Sequence, residues 1–278
     1  MALLTGKVVL VSGGTQGVGA GVAQAAAREG AAVAVTGRRR EPGEALAAEL
    51  VAAGAAARLV QADVADVTQA TGSVATVVGE LGRIDCLVNA AGLTARGTLL
   101  DTTPELFDAH VAVNLRAPFF LMQAAVRDML ARRATGTIVN VISSSELGGQ
   151  PYLAPYVAAK AGLAGLTRNA AYAHRWDRIR INGLNIGWTE SEGESQTQRS
   201  FHQADDDWAT AAAKKLPMGK LGQPDEIAAW IEHMLIGDGC RFMCGSLVFV
   251  DGGTDAMVRA DAWPTSFAMP TGSQFGFD

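Results

Sequence analysis

The chain has 278 residues, of which 49% are hydrophobic and 18% charged, with a formal net charge of −5. This supplies apolar material for one large core, and the acidic balance gives no electrostatic ground for binding nucleic acid or an anionic membrane surface. Three scattered cysteines, Cys86, Cys240 and Cys244, exclude a disulfide framework, and no run of about 18 apolar residues marks a membrane span. The opening stretch "MALLTGKVVLVSGG" has neither a basic leader nor a small-residue cleavage site, so a soluble cytoplasmic protein is expected.

In chain order, "KVVLVS", "AAVAVTG", "ARLVQAD", "IDCLVNAAG", "GTIVNVI", "RINGLNI" and "SLVFVDGG" are short apolar runs without polar alternation, the pattern of strands buried on both faces. Helical patterns lie between them, as over Val18 to Glu29, Glu41 to Ala53 and Val67 to Leu81. Strict alternation predicts an α/β fold, a single-domain, Rossmann-like, doubly wound parallel sheet of about seven strands with helices on both faces, over residues 1–254.

The first strand runs into "SGGTQGVGAG", where Gly13, Gly17 and Gly19 stand between strand and helix. Glycines there permit a tight turn and let backbone N–H groups approach a pyrophosphate at a helix N-terminus. The second strand ends in "VTGRRR". An acidic residue at that point would suit a free ribose 2′-hydroxyl, whereas arginine suits a 2′-phosphate, so Arg38 favours NADP(H), with NAD(H) the alternative. Arg39 and Arg40 read as a solvated approach to the next helix.

Further on, "YVAAK" sets Tyr156 and Lys160 four residues apart, on one face of a helix. A phenol is a poor base near neutrality, and an adjacent ammonium favours its phenolate. From Trp188 to Leu216 the chain is polar at first and then helical, a candidate lid. Trp188, Phe201 and Trp208 within it suggest apolar pocket walls. The tail 255–278, with Trp263, Phe267, Phe275 and Phe277, is expected to pack on the domain or on a neighbouring subunit.

From Gly6 to about Thr254 the chain resembles the short-chain dehydrogenase/reductase family. "SGGTQGVG" looks like that family's glycine motif, with Ser12 where Thr is usual, and implies cofactor contacts from Gly13, Thr15, Gln16, Gly17, Val18 and Gly19. "ADV" resembles the segment whose acid, here Asp63 with Val64 beside it, meets the adenine, and "NAAG" supplies Asn89, Ala91 and Gly92. The resemblance implies a catalytic set of Asn114, Ser143, Tyr156 and Lys160, with Ser144 and Ser145 as adjacent alternatives to Ser143. In it Lys160 also binds the nicotinamide ribose and joins a proton relay through water held near Asn114. Where the family carries Pro-Gly after the sixth strand this chain has Ile186 and Gly187, a less rigid turn, followed by Thr189 and Ser191 as nicotinamide-side contacts.

For the substrate, Glu146, Gln150, Trp188 and His202 join Ser143 as candidates. Cys240 and Cys244 lack the further Cys or His pair of a metal site and read as packing. The expected activity is hydride transfer between nicotinamide and a small-molecule carbonyl or secondary alcohol, in a homo-oligomer, tetramer or dimer. Two other readings are a nucleotide-binding regulator without turnover and an epimerase or dehydratase with retained cofactor.

Overall fold

Val8–Ser12 forms β1, which lies between β2 (Ala32–Gly37) and β4 (Cys86–Asn89) in parallel register, Val11 opposite both Val35 and Val88. β3 (Ala57–Gln61), β5 (Gly136–Val141), β6 (Ile179–Ile186) and β7 (Leu247–Val250) complete a seven-stranded sheet of order β3-β2-β1-β4-β5-β6-β7, every pair parallel. These assignments come from a computed structural model that describes residues 2–236 and 240–254. The expectation for the tail 255–278 lies outside the described residues.

Successive residues of a strand face opposite sides of the sheet, so its uninterrupted apolar runs feed two cores. Val9 and Val11 of β1, Val88 of β4 and Val139 of β5 pack with α1 (Gly17–Arg28), α2 (Arg40–Ala52) and α9 (Pro224–Ile236). Val8, Leu10, Leu87 and Ile138 pack on the other side with α3 (Val67–Leu81), α5 (Ala117–Ala131) and α6 (Ala154–His174). At the two edges the expectation of burial on both faces fails: β3 and β7 are half-buried along most of their length, because among the described residues each has a neighbour on one side alone.

Three segments shape the region above the carboxyl ends of the strands. The first follows β4 and leads through α4 (Pro104–Val111) into a single π turn at Ala112–Arg116 before α5. The second follows β5 as a 3₁₀ turn, Ser144–Leu147. The third contains α7 (Glu192–His202) and α8 (Trp208–Ala213). The polar first half of that third segment is thus helical where the sequence suggested an irregular start. Ser191 caps α7 with its Oγ, Glu192 and Glu194 occupy the first turn and Arg199 and His202 the last, the charge order that a helix dipole favours.

Candidate active site

At Gly13, where the chain leaves β1, φ is +72 and a Cβ would stand 2.5 Å from the backbone of Ala91. The turn therefore needs glycine for its conformation and for the close approach of the segment after β4. Gly17, at φ +53, opens α1, whose N-cap Gln16 makes no side-chain bond to the first-turn amides. Among the described residues no side chain accepts from those amides, which stand at the positive end of the helix.

The strands around this turn end in polar side chains that the protein does not satisfy. Ser12 Oγ, Thr36 Oγ1, Asn89 Oδ1 and Asn185 Oδ1 are buried with no partner among the described residues, and they stand at the carboxyl ends of β1, β2, β4 and β6. Unpartnered buried polar atoms are costly, and three of these four lie on β1 and its neighbours β2 and β4, where the strand order reverses, the position at which doubly wound sheets bind ligands. A glycine cradle with uncapped amides and a polar floor fits a dinucleotide.

Arg38, Arg39 and Arg40 differ in their surroundings. Arg40 pairs with Glu44 at 2.7 Å, and Arg39 donates to Gln16 Oε1 at the glycine turn, closer to the cradle than a solvated approach would be. Arg38 is exposed, and its guanidinium meets no carboxylate among the described residues. Asp63 turns its Oδ1 onto Ala65 N at 3.0 Å, while Val64 beside it is buried in the core. Asn89 donates to Asn140 Oδ1 at 2.8 Å and Asn140 to Thr167 Oγ1 at 2.9 Å, a buried chain that ties β4 and β5 to α6.

Tyr156 lies in the first turn of α6 and Lys160 one turn later, both buried. Lys160 Nζ donates to Val141 O at 2.8 Å and stands 5.7 Å from the centre of the Tyr156 ring. Of the three consecutive serines, Ser143 is the one whose hydroxyl acts on the Tyr156 phenol, easing it down. The expectation that Lys160 lowers the phenol is corrected here. Burial pushes Tyr156 up to about 12 against the pull of the Ser143 hydroxyl, and burial brings Lys160 down to about 8. Removal from water is the largest cause for both groups, and the amine is not among the causes that act on the phenol.

Asn114 sits fully buried in the π turn, a local widening that is frequent at functional sites. Its side chain closes on the backbone of Leu93, Oδ1 accepting from N at 3.0 Å and Nδ2 donating to O at 2.9 Å. His110, one turn earlier and also buried, joins it: Nδ1 lies 3.2 Å from Asn114 Nδ2 and Nε2 3.0 Å from Ala95 O. Burial lowers the His110 pKa, so the ring is neutral, accepting from Asn114 and donating to Ala95. His110 carried no signal in the sequence beyond its place four residues before Asn114.

On the far side, Thr189 is buried, bonded to Gly187 O at 3.0 Å, and bridged by backbone to Gly222. Ser191 uses its Oγ to cap α7, accepting from Glu194 N at 3.1 Å. Ile186 pairs with Val250, and a Cβ on Gly187 would come within 2.6 Å of Asp251, so this turn keeps its glycine without the proline. Glu146 accepts from Asn185 Nδ2 at 3.2 Å, Gln150 is exposed, and His202 accepts from Arg96 Nε at 3.1 Å. Trp208 is buried in the lid's own cluster and Trp188 packs on it at 5.8 Å, so these two aromatics hold the segment together rather than simply walling a pocket. Phe201 is exposed. The sequence did not single out Arg96 or Glu194, which join the segment after β4 to α7 at 3.2 Å.

Fold and crevice define a dinucleotide-binding protein built on a doubly wound sheet. Residues 13–255 match the family model described as enoyl-(acyl carrier protein) reductase. An uncharacterized oxidoreductase of Thermotoga maritima is 35% identical over 252 residues, 91% of this chain and 98% of that protein. The 2-(S)-hydroxypropyl-CoM dehydrogenase 3 of Xanthobacter autotrophicus is 34% identical, over 91% of this chain and 98% of that one. Among solved structures, a tryptophan variant of actinorhodin polyketide ketoreductase with NADPH superimposes with a TM-score of 0.84 at 30% identity, covering 92% of this chain and 99% of the other. The chain belongs to the short-chain dehydrogenase/reductase family, and it is an NAD(P)-dependent oxidoreductase acting on carbonyl or alcohol groups.

Proposed function

We propose that this protein interconverts a secondary alcohol and its ketone, with Tyr156 exchanging the proton of the reacting oxygen. The reading rests on one observation above all: Tyr156 and Lys160 are buried one turn apart on α6, with Lys160 anchored to Val141 O and 5.7 Å from the centre of the Tyr156 ring. Bound NADP(H) supplies or accepts the hydride. Ser143 hydrogen-bonds the substrate oxygen, and Tyr156 gives that oxygen a proton in reduction and takes it back in oxidation. Lys160 holds the nicotinamide ribose and passes protons from the phenol toward Asn114, whose own side chain keeps the segment after β4 in place. Gly13, Gly17 and the first amides of α1 would hold the pyrophosphate, and Arg38 the 2′-phosphate.

Wild type and Tyr156→Phe, compared by nicotinamide absorbance over ketones and secondary alcohols with each cofactor, test this. The Phe chain should lose about a hundred- to ten-thousandfold in kcat. Turnover that survives the change would reject Tyr156 as acid and base. We place the protein in the cytoplasm; among the described residues no helix is long and apolar enough to cross a membrane. We also infer a dimer or tetramer, since Phe107 of α4, Phe119 of α5 and Tyr172 of α6 are 44%, 43% and 68% exposed in the single chain.

A further inference from the structure

Arg96 stands in the segment after β4, and two backbone bonds fix that segment to the entry of α6. Gly97 N donates to Tyr152 O at 2.9 Å, and Ala154 N donates to Gly97 O at 3.1 Å. Arg96 is thereby held beside the chain that leads directly into Tyr156. Its guanidinium donates from Nε to His202 Nε2 at 3.1 Å, from Nη1 to Thr94 O at 3.0 Å and from Nη2 to Glu194 Oε1 at 3.2 Å. A guanidinium has five N–H groups, so one on each Nη is left without a partner among the described residues.

Glu194 is used as unevenly. Oε1 accepts from Arg96, from Trp188 Nε1 at 2.9 Å and from Gln198 Nε2 at 2.7 Å, while Oε2 accepts from no described residue. Both side chains are 12% exposed, the Arg96 guanidinium lies 5.4 Å from the centre of the Tyr152 ring, four residues before Tyr156, and the two charges act on the Tyr156 phenol in opposite senses. An ion pair so far out of water is costly unless its remaining donors and acceptors are met.

We propose that Arg96 and Glu194 form a hydroxyl-binding subsite beside Tyr156, and that the substrate is an uncharged polyhydroxylated alcohol or its carbonyl counterpart, with a hydroxyl next to the reacting one. A hydroxyl meets both unmet needs at once, its oxygen accepting from Arg96 and its hydrogen going to Glu194 Oε2. An apolar group meets neither. A carboxylate or phosphate would set a second anion against Glu194, and moving Glu194 aside would break three hydrogen bonds. The inference rests on the oxidoreductase reading above and names its substrate class.

The test is a binding measurement on the Tyr156→Phe chain loaded with NADP⁺, titrated by calorimetry with cyclohexanol, trans-cyclohexane-1,2-diol and 2-hydroxycyclohexanecarboxylate. The diol should bind about 10- to 100-fold more tightly than cyclohexanol, as expected for a hydrogen bond to charged partners. Adding Glu194→Gln, or separately Arg96→Gln, should bring that ratio to within about threefold. Equal affinities for diol and mono-ol before those substitutions, absence of binding by both included, would overturn the subsite. Tightest binding by the hydroxy acid would overturn it too and make Arg96 an anion site. Binding is read here without turnover, so a native chain that oxidises none of the three probes while keeping the diol preference would count against the reaction and leave the subsite standing.

Discussion

Lys160 and Tyr156 are both taken out of water, and each moves toward its neutral form, the amine down to about 8 and the phenol up to about 12. The consequences for stability have opposite signs. Between about 8 and the ordinary 10.5, unfolded chains hold a proton on Lys160 that folded chains lack, so stability rises with pH across that window. Below it both forms are protonated and the cost of burying the ammonium is present in full. Denaturant unfolding at both ends of the window should show a gain on the order of 3 kcal/mol that Lys160→Met removes. An unchanged slope in the variant would assign the gain elsewhere. For Tyr156, stability is present below the ordinary 10 and is lost as pH rises through about 12. In cofactor-free protein, the tyrosinate absorbance of wild type minus Tyr156→Phe should appear near pH 12; its appearance near neutrality would contradict this. The pair was legible from its spacing, whereas its electrostatics were not, because burial comes from residues far away in sequence. Arg38 makes a further prediction. Arg38→Ala should weaken NADP(H) at least about tenfold more than NAD(H), the scale of a lost charge-assisted bond, and equal losses would reject the assignment.

At the scale of elements, strands and glycine turns were readable because apolar runs and turn chemistry are local signals. The helix α7 was missed because its residues, from Glu192 to His202, offer no apolar face to read. A different signal was present: Ser191 followed by Glu194 three residues on is the pattern of a capping box. Half of that box is made, with Ser191 Oγ accepting from Glu194 N at 3.1 Å. The other half is diverted, since the Glu194 carboxylate reaches Arg96, Trp188 and Gln198. Ser191→Ala should therefore cost about 1 kcal/mol locally and quicken amide exchange across α7 while the sheet stays protected. Uniform exchange changes over the whole chain would instead make Ser191 a determinant of the global fold.

Across the whole molecule, the buried ends of Ser12, Thr36, Asn89 and Asn185 mark a cost, which on the proposed reading a bound dinucleotide would offset. NADP⁺ at about a hundred times its dissociation constant should raise stability by roughly 2.7 kcal/mol, seen as a concentration-dependent rise in Tm. A Tm indifferent to NADP⁺ and NAD⁺ alike would argue against the crevice as their site. The cofactor half of the site was legible because its residues follow strand ends at motif spacing. Arg96 and Glu194 are 98 positions apart, and no local pattern announces a contact over that distance.

The backbone bridge between Gly97 and Leu153 also bears on how this protein can change over generations. It ties the segment of proposed recognition to the helix that carries Tyr156 and Lys160 through main-chain atoms, so exchanging Arg96 together with its partner Glu194 in α7 leaves that tie in place. Appetite for new substrates can drift there while the reacting groups and the cofactor cradle are inherited unchanged, and exchanging both segments together between relatives would transplant a preference without rebuilding the chemistry.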